Sequence, residues 1–216
     1  MRRTTEGRTL DAAEVTFFED LQRILSGKMV SLPRKVSRIC AVDAAYRGDR
    51  VAAVASVFEG DRLAETSSYV GSCSLPYASG LFYLREGPFV VRAVRGLKAG
   101  PQLLCFDAHG AAHPRSAGLA TVCGLVLGIP SIGCAKSLLV GSTVSGEGGL
   151  DRIVHEAKTV GFVTHTHGAA RYWSAGYSVT IGRLASLIGE YGQVCLRAMA
   201  ESDRAARFQI RTARPL

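Results

Sequence analysis

Apolar and polar residues follow a helical pattern near the start of the chain and a strand pattern soon after it. Residues 11–26 place apolar side chains at the spacing of an amphipathic helix. Three apolar segments follow, at residues 38–46, 50–58 and 62–70, and the sequence RGDR joins the first two as a tight turn. The pattern therefore predicts one helix followed by an antiparallel group of three strands.

After residue 80 the chain alternates between predicted helices and short predicted strands. Residues 87–97 and 114–128 have helical patterns, and the first carries Pro88 near its first turn, where a missing N–H costs no helical hydrogen bond. Two segments, PQLLCFD and IPSIGCA, predict short strands that are apolar on both faces. Because such strands need cover on each side, the pattern predicts an α/β fold whose mixed central sheet is flanked by helices on both faces.

The second half of the chain is predicted to continue the sheet and to end in helix. Residues 141–152 are rich in Gly and Ser and predict a surface loop, residues 153–177 predict further strands, and residues 181–207 predict one or two helices. With 216 residues, of which 47% are hydrophobic, the chain is long enough to bury one substantial core. We therefore expect a single domain over residues 1–216.

The charge balance favours a polyanionic partner such as DNA or RNA. The net charge is +8 and the isoelectric point is about 9.4, and Lys and Arg that neutralise phosphates release counterions. A basic protein without such a partner remains the alternative. Ten basic residues are candidates for phosphate contacts, although the sequence does not say which of them share a face: Arg2, Arg3, Arg8, Arg34, Lys35, Arg92, Arg95, Lys98, Arg115 and Arg171.

The cysteines and the N-terminal segment indicate a cellular compartment. The six cysteines form no CxxC pair and fall mostly in apolar segments, which is typical of small core residues in a reducing environment. No apolar N-terminal segment and no apolar segment of membrane-spanning length is present. We expect a cytoplasmic protein that has no membrane partner and acts as a monomer.

Three carboxylates stand in positions that favour a functional role. Asp43 interrupts an apolar strand, Asp107 ends the strand LLCFD, and Glu86 lies in YLREGP near the start of a predicted helix. Acids at the carboxyl ends of strands project into the crevice where α/β sheets bind ligands. A role in a turn, in a helix cap or opposite the helix dipole is the alternative for each of them.

A cation would make this set of acids chemically useful. Buried carboxylates that share a site repel one another and lose hydration unless a cation joins them. Mg²⁺ prefers hard oxygen ligands and is often held by one or two carboxylates together with a substrate phosphate. Lys136 directly follows the strand SIGCA, where it could bind a scissile phosphate, or could simply extend from the strand end. These residues predict phosphodiester hydrolysis.

Four segments resemble the core motifs of a known family in the same order and at similar spacing. They are AVDAAY, LPYASGLFYLREGP, FDAHGAAHPRSAGLA and IPSIGCAKSLLVG, and they are similar to the motifs of endonuclease V, the deoxyinosine 3′-endonuclease. The resemblance implies a ribonuclease H-like fold and a role in nucleic-acid repair. It implies hydrolysis of the second phosphodiester bond 3′ to a deaminated base, chiefly inosine, in DNA or RNA. It also implies Mg²⁺ as the cofactor, with Mn²⁺ as the alternative.

Matching these motifs residue by residue implies a role for each matched position. Asp43, Glu86 and Asp107 correspond to the metal-binding acids of the family, and Lys136 corresponds to its catalytic lysine. The wedge that fills the gap left by the rotated nucleotide corresponds to Pro76, Tyr77, Ala78 and Ser79. The pocket for the base corresponds to Gly80, Phe82, Ala108, Gly118 and Leu139, with His113 beside it.

The chain departs from the family pattern at three places. The wedge has Ala78 and Ser79 where the family has Ile and Pro, which predicts a looser wedge. Ala108 stands where the family has glycine, which adds a methyl group and places a non-glycine residue where a positive φ is expected. Tyr177 aligns with a family histidine, and a neutral phenol is a poor substitute for imidazole at a metal site.

Two alternatives to inosine cleavage stay open from the sequence. The first keeps the hydrolytic chemistry and changes the lesion, because the departures at the wedge and at Ala108 affect recognition rather than hydrolysis. The second is a non-catalytic nucleic-acid-binding protein of the same fold. The complete set of acids argues against the second alternative, because buried carboxylates without a function are costly.

Overall fold

A computed structural model of the chain describes residues 12–25, 35–166 and 168–213. The helices are α1 (Ala12–Leu25), α2 (Phe82–Arg95), α3 (Leu119–Leu127) and α4 (Ile181–Thr212). The strands are β1 (Arg38–Arg47), β2 (Arg50–Glu59), β3 (Arg62–Ser72), β4 (Leu103–Phe106), β5 (Ser131–Ala135), β6 (Ser142–Val144), β7 (Asp151–His155), β8 (Lys158–Thr166) and β9 (Ala169–Ala175). Four of the candidate phosphate contacts, Arg2, Arg3, Arg8 and Arg34, lie outside the described residues.

All the described strands form one mixed sheet in the order β3-β2-β1-β4-β5-β9-β8-β7-β6. The central strands β1, β4 and β5 run parallel, and every other neighbouring pair is antiparallel. The carboxyl ends of the three parallel strands therefore meet at the same edge of the sheet. This edge is where an α/β sheet presents side chains to a ligand.

Two layers of side chains fill the space between the sheet and the helices. On one face, Val42, Leu104 and Phe106 pack against α2 and α3. On the other face, alternate residues such as Ala41 and Cys105 pack against the long helix α4. Strand β2 is buried on both faces over nearly its whole length. The predicted fold class, a mixed α/β sheet with helices on both faces, is therefore confirmed.

Two predicted elements differ from those observed. Helix α2 begins at Phe82 rather than at residue 87, so Pro88 lies inside the helix and Glu86 lies beyond its first turn. The Gly- and Ser-rich segment predicted as a loop contains strand β6 and a 3₁₀ turn at Glu147–Gly149. The predicted start of α2 is wrong because proline usually marks the first turn of a helix, where the N–H that proline lacks is not needed for a helical hydrogen bond.

Two further expectations concern the cysteines and the helices. All six cysteines are buried and form no disulfide, as the sequence predicts for small core residues. Among the described residues, no helix has both the length and the apolar character needed to cross a membrane.

Candidate active site

Two acids stand side by side at the carboxyl ends of neighbouring parallel strands. Val42 in β1 pairs with Phe106 in β4, so Asp43 and Asp107 are the next residue along each strand. Side chains alternate between the faces of a strand. Both acids therefore point toward the face that α4 covers, the same face as Ala41 and Cys105.

The electrostatic state of Asp43 reflects this arrangement. Burial is the largest cause, and the charge of Asp107 adds to it, so the pKa of Asp43 rises from its ordinary value of 3.8 to about 7. A hydrogen bond from the Ala44 backbone N–H to Oδ1 of Asp43, at 2.8 Å, and the charge of Lys136 act in the opposite direction. Asp43 thus lies in a site where a further positive charge would be stabilising.

Glu86 approaches the two aspartates from helix α2 and is almost fully buried, with 6% of its surface exposed. Burial, followed by the charges of Asp43 and Asp107, raises the pKa of Glu86 to about 8. Helix α2 has no acid in its first turn, so the alternative role of Glu86 as a partner for the helix dipole does not apply. The structure therefore brings the three sequence-predicted acids into mutual electrostatic contact.

Lys136 follows β5 and donates a hydrogen bond from Nζ to Oδ2 of Asp107. Its side chain is 58% exposed, so the ammonium group reaches solvent and the acids together. Partial burial lowers its pKa, but the hydrogen bond and the charge of Asp107 outweigh that effect and raise the pKa of Lys136 above its ordinary value. Lys136 is thus a fixed cation at neutral pH.

A fourth acid, Asp203, reaches the same place from helix α4. Asp203 lines a cavity of about 310 Å³ together with Asp43, Asp107 and Lys136. Its charge also contributes to the raised pKa of Asp43. Sequence reasoning missed Asp203, because its only local pattern is an i,i+4 pair with Arg207, Oδ1 to Nε at 2.8 Å, which is typical of an exposed helix surface.

The donor set suits a hard divalent cation, although the side chains are not arranged as a closed metal cage. Within the described ranges, no group of three or more His, Cys, Asp or Glu side chains is assembled at metal-binding distance. The acids offer only oxygen donors, and burial with mutual repulsion raises the pKa of both Asp43 and Glu86. Oxygen-only donors of this kind are those that Mg²⁺ and related ions prefer, so the residues fit such an ion.

A second cavity, of about 410 Å³, shares two lining residues with the first, Asp107 and Lys136. It is mainly apolar and contains every residue that the motifs assign to the base pocket, namely Gly80, Phe82, Ala108, His113, Gly118 and Leu139. Gln22, His109 and Ser137 also line it and were not predicted. We call this space the base cavity. Its two shared residues connect it directly with the acids.

The four residues that match the wedge lie in the segment between β3 and α2. Tyr77 is 67% exposed, and its ring meets the ring of Phe82 edge-on at a centroid distance of 6.3 Å. Tyr77 also lines the base cavity, whereas Ala78 packs against the core. Pro76 is half-buried and Ser79 is exposed. Tyr77 is therefore a surface aromatic residue.

Gly80 links this segment to the base cavity through two hydrogen bonds. Its carbonyl oxygen accepts from Nη2 of Arg115 at 2.8 Å and lies 3.0 Å from Nε2 of His113. Gly80 has a φ of +74°, which favours glycine, and a Cβ there would lie 2.5 Å from Nη2 of Arg115 and would displace that guanidinium group. Arg115 is braced in turn by Glu19 and Gln22 from α1.

His113 uses both ring nitrogens within the protein. Burial is the main cause that lowers the pKa of His113 to about 4, so the ring is neutral near pH 7. Nδ1 accepts from the Arg115 backbone N–H at 3.2 Å, and we infer that Nε2 donates to the Gly80 carbonyl. His113 therefore shapes the wall of the base cavity.

Two expectations about departures from the family pattern are wrong. Ala108 is not among the residues with positive φ, so it carries no backbone strain, although its methyl group does line the base cavity. Tyr177 exchanges hydrogen bonds with Ser131, at the start of the strand that leads to Lys136 at its other end. Five residues of strand separate these ends by about 16 Å. Tyr177 therefore lies away from the acids.

Together, these features define a class of α/β protein in which a cluster of carboxylates adjoins a mainly apolar cavity, an arrangement typical of a ligand-binding or active site. Comparisons with known proteins name the family. A family model described as Endonuclease V matches residues 22–193 of the chain. The chain therefore belongs to the endonuclease V family.

Individual relatives agree with this assignment. The chain is 40% identical over 134 residues to an endonuclease V of Saccharolobus islandicus, a match that covers 60% of this chain and 66% of that protein. The crystal structure of an endonuclease V from Streptomyces avermitilis has a TM-score of 0.81 at 25% identity and covers 96% of each chain. A Ciona intestinalis endonuclease V, solved in complex with a DNA containing an inosine followed by a ribo-adenosine, has a TM-score of 0.80 at 17% identity and covers 94% of this chain and 100% of that one.

Proposed function

We propose that this protein is a divalent-metal-dependent endonuclease that cleaves DNA or RNA near a deaminated base, with inosine as the preferred lesion. The proposal depends on one observation: Asp107 and Lys136 line both cavities. One is the cavity of about 310 Å³ that Asp43 and Asp203 also line, which we call the cavity of the acids, and the other is the base cavity. A reactive centre and a space for a nucleobase therefore share two side chains. Membership of the endonuclease V family supports the same conclusion.

We propose Mg²⁺ as the ion, with Mn²⁺ as the alternative, and Asp43, Glu86 and Asp107 as the residues that hold it. Asp203 is the fourth acid that we assign to this centre, because it lines the same cavity as Asp43 and Asp107. When bound, the ion polarises a phosphoryl oxygen and offsets the negative charge that develops during hydrolysis. The raised pKa values of Asp43 and Glu86 support a cation site: burial is the largest cause of each shift and the charges of neighbouring acids add to it, and a bound cation offsets both effects.

Lys136 is the residue that we expect to stabilise charge on the cleaved phosphate. Its ammonium group is held beside the acids by Asp107, and its pKa is raised, so it stays charged at neutral pH. A fixed cation placed where negative charge develops lowers the barrier without needing to reorganise during the reaction. The hydrogen bond to Asp107 also keeps the flexible lysine side chain close to the reactive phosphate.

The base cavity is proposed to hold the damaged base after it rotates out of the helix stack. Extrusion costs a few kcal/mol of stacking, and an inserted ring can recover part of that cost. Tyr77 is suited to this role because its ring is exposed at the border of the cavity. The DNA in the Ciona intestinalis complex contains inosine, which supports inosine as the base. We propose the second phosphodiester bond 3′ to that base as the bond cleaved.

A second candidate function keeps the same reaction and changes the lesion. Ala108 places a methyl group in the base cavity where the family pattern has glycine, and the wedge lacks the family's Ile and Pro. Both differences alter the surface that meets the base and leave Asp43, Asp107 and Lys136 in place. They favour a different or broader lesion preference. In either case we propose that the chain acts as one domain, since its described strands form one sheet.

A cleavage panel tests both candidates. End-labelled DNA and RNA strands carrying inosine, uracil, xanthine, an abasic site or a mismatch are incubated with the protein and Mg²⁺, and product lengths locate the cut. We expect cleavage of the inosine strand at the second phosphodiester bond on the 3′ side, and no cleavage by Asp107→Asn. A clear preference for another lesion selects the second candidate. A folded protein that cuts none of the substrates contradicts both candidates.

A further inference from the structure

Four neighbouring strands carry an ordered row of charged side chains across one face of the sheet. In the order β1, β4, β5 and β9, the row consists of Asp43, Asp107, Lys136 and Arg171. All four residues line the cavity of about 310 Å³ that α4 covers. The row thus places two acids next to two cations.

The position of Arg171 follows from the pairing of β5 with β9. Ala135 pairs with Tyr172, so the antiparallel register sets Arg171 beside Lys136. Trp173, two residues along β9, belongs to the core under α4, so Arg171 points to that same face. Arg171 therefore stands one strand, about 4.8 Å, farther from the acids than Lys136 does.

The two cations differ in what holds them. Lys136 is bound to Asp107, whereas the half-buried Arg171 has no ion pair and no side-chain hydrogen bond among the described residues. A guanidinium group carries several N–H donors in a planar fork that matches the geometry of a phosphate group. A half-buried guanidinium whose donors are unused, in a cavity that charged side chains line, is suited to an anionic ligand.

We propose that Arg171 binds a backbone phosphate of the cut strand, at or next to the bond that is cleaved. The inference rests on the proposed function, since it assumes that nucleic acid enters the cavity of the acids. Lys136 contacts the phosphate closest to the acids, and Arg171 extends the positively charged surface by one strand. In this arrangement Arg171 fixes the direction in which the strand crosses the cavity.

Binding measurements over a series of salt concentrations test the contact without requiring cleavage. An inosine-containing single strand is titrated in EDTA with the wild type, Arg171→Ala and Arg171→Lys. We expect Arg171→Ala to bind about tenfold more weakly, and to lower the slope of log K against log salt by about 0.7, the value for one phosphate contact on a single strand. Arg171→Lys keeps the charge, so we expect it to retain the slope and to recover part of the affinity.

Arg62→Ala is the matched control. Arg62 is exposed in a pair with Glu59 at the opposite end of the sheet, where β2 meets β3, and such pairs add little to stability. We expect this variant to keep the affinity and the slope of the wild type. An equal loss in Arg62→Ala and Arg171→Ala would show a general charge effect and would overturn the inference.

Neutral methylphosphonates locate the contact. Strands are prepared with one methylphosphonate at the cleaved phosphate or at the phosphate on either side of it. If Arg171 binds one of these groups, neutralising that group removes the difference between wild type and Arg171→Ala, because the two changes delete the same interaction. A difference that persists with all three strands contradicts the inference.

The same samples separate the inference from the proposed function. A wild type that binds but does not cut in Mg²⁺ contradicts the proposed function, while the slope and the methylphosphonate strands still decide the role of Arg171. A wild type that cuts, together with an Arg171→Ala variant that has an unchanged slope, contradicts the inference alone. In cleavage assays we expect Arg171→Ala to raise KM more than it lowers kcat, because the contact exists before the reaction.

Discussion

Asp43 and Asp107 directly follow Val42 and Phe106, which are paired across two parallel strands, so the two carboxylates are neighbours on one face of the sheet. Two unit charges about 4.8 Å apart, one strand spacing, repel by about 3.5 kcal/mol at an effective dielectric constant of about 20. Glu86, which is buried, adds a third acid from the other face, whereas Asp43 and Asp107 are half-buried. Lys136 offsets part of this repulsion, and a proton or a bound cation would offset the rest.

The first prediction concerns the pH dependence of stability without metal. Folding raises the pKa of Asp43 to about 7 and that of Glu86 to about 8. A carboxyl with a raised folded-state pKa stabilises the fold at low pH, and this contribution is lost as the pH rises through the folded-state pKa. In EDTA, we expect the free energy of unfolding to decrease between about pH 4.5 and pH 8 through these two groups. Chemical denaturation at several pH values in this range measures the free energy of unfolding.

The matched variant for this prediction is Glu86→Gln, which keeps the shape of the side chain and removes its charge. We expect the variant to be more stable than the wild type at pH 8 in EDTA and to show a weaker pH dependence. Mg²⁺ is expected to stabilise the wild type at pH 8 more than at pH 5, because protons compete with the metal for the carboxylates. Equal Mg²⁺ effects at both pH values would disagree with this account.

The second prediction concerns Asp203, which only the structure revealed. We expect Asp203→Asn to lower the apparent Mg²⁺ affinity for cleavage by about 10- to 100-fold, since one anionic oxygen donor is lost from the cavity. Arg207→Gln removes the partner of Asp203 on α4 and leaves the acid in place. Mg²⁺ titrations of cleavage compare the two variants. If both variants lowered the apparent Mg²⁺ affinity equally, the role of Asp203 would be its ion pair with Arg207 and not a contact with the metal ion.

The third prediction concerns Lys136. Its ammonium group is bound to Asp107 and its side chain is 58% exposed, so truncating the side chain leaves no buried cavity. We expect Lys136→Ala to lower kcat by about 100-fold or more, with substrate affinity changed much less, whereas Lys136→Arg retains part of the rate. Single-turnover cleavage and equilibrium binding separate these quantities. If Lys136→Ala lowered substrate affinity and left kcat unchanged, Lys136 would contribute to substrate binding and not to stabilisation of the transition state.

The fourth prediction concerns the wedge. Tyr77→Ala removes an exposed ring, so we expect the free energy of unfolding to change by no more than about 0.5 kcal/mol. Affinity for duplex DNA with one inosine is expected to fall by about tenfold, and affinity for a single inosine-containing strand much less, because only the duplex leaves a gap to fill. Binding titrations with both substrates give the comparison.

Phe208→Ala is the matched control for the wedge, because Phe208 is also an exposed aromatic residue, 61% accessible, but lies on α4. We expect it to leave both affinities unchanged. If Tyr77→Ala and Phe208→Ala reduced duplex binding equally, the effect would reflect general surface contact and not insertion into the helix stack.

Most of the elements that the sequence predicts correctly are marked by patterns of neighbouring residues. Strands β1, β2 and β3 were predictable because their apolar residues and tight turn are signals within a few residues of each other. The start of α2 was not predictable, because Pro88 lies inside this helix and the sequence does not show where a helix can accommodate a proline.

The site shows a similar division between local and long-range information. Asp43 and Asp107 stand out because each interrupts or ends an apolar strand. Asp203 does not, because it lies in a charged helix surface and reaches Asp43 only through the packing of α4 across the sheet. Tyr177 was misplaced for the same reason, since a motif cannot tell which end of a neighbouring strand a residue will face. Arg171 became distinct from nine other basic residues only through the register of β9 with β5.

The most direct test of the central claim is the position of a bound ion. Crystals soaked in Mn²⁺, measured at a wavelength where manganese scatters anomalously, locate the ion independently of any assay. The account predicts an anomalous peak within about 2.5 Å of carboxylate oxygens of both Asp43 and Asp107, and the loss of this peak in Asp107→Asn. A protein that cleaves in Mn²⁺ but shows its ion elsewhere, or the same peak in Asp107→Asn, would contradict it.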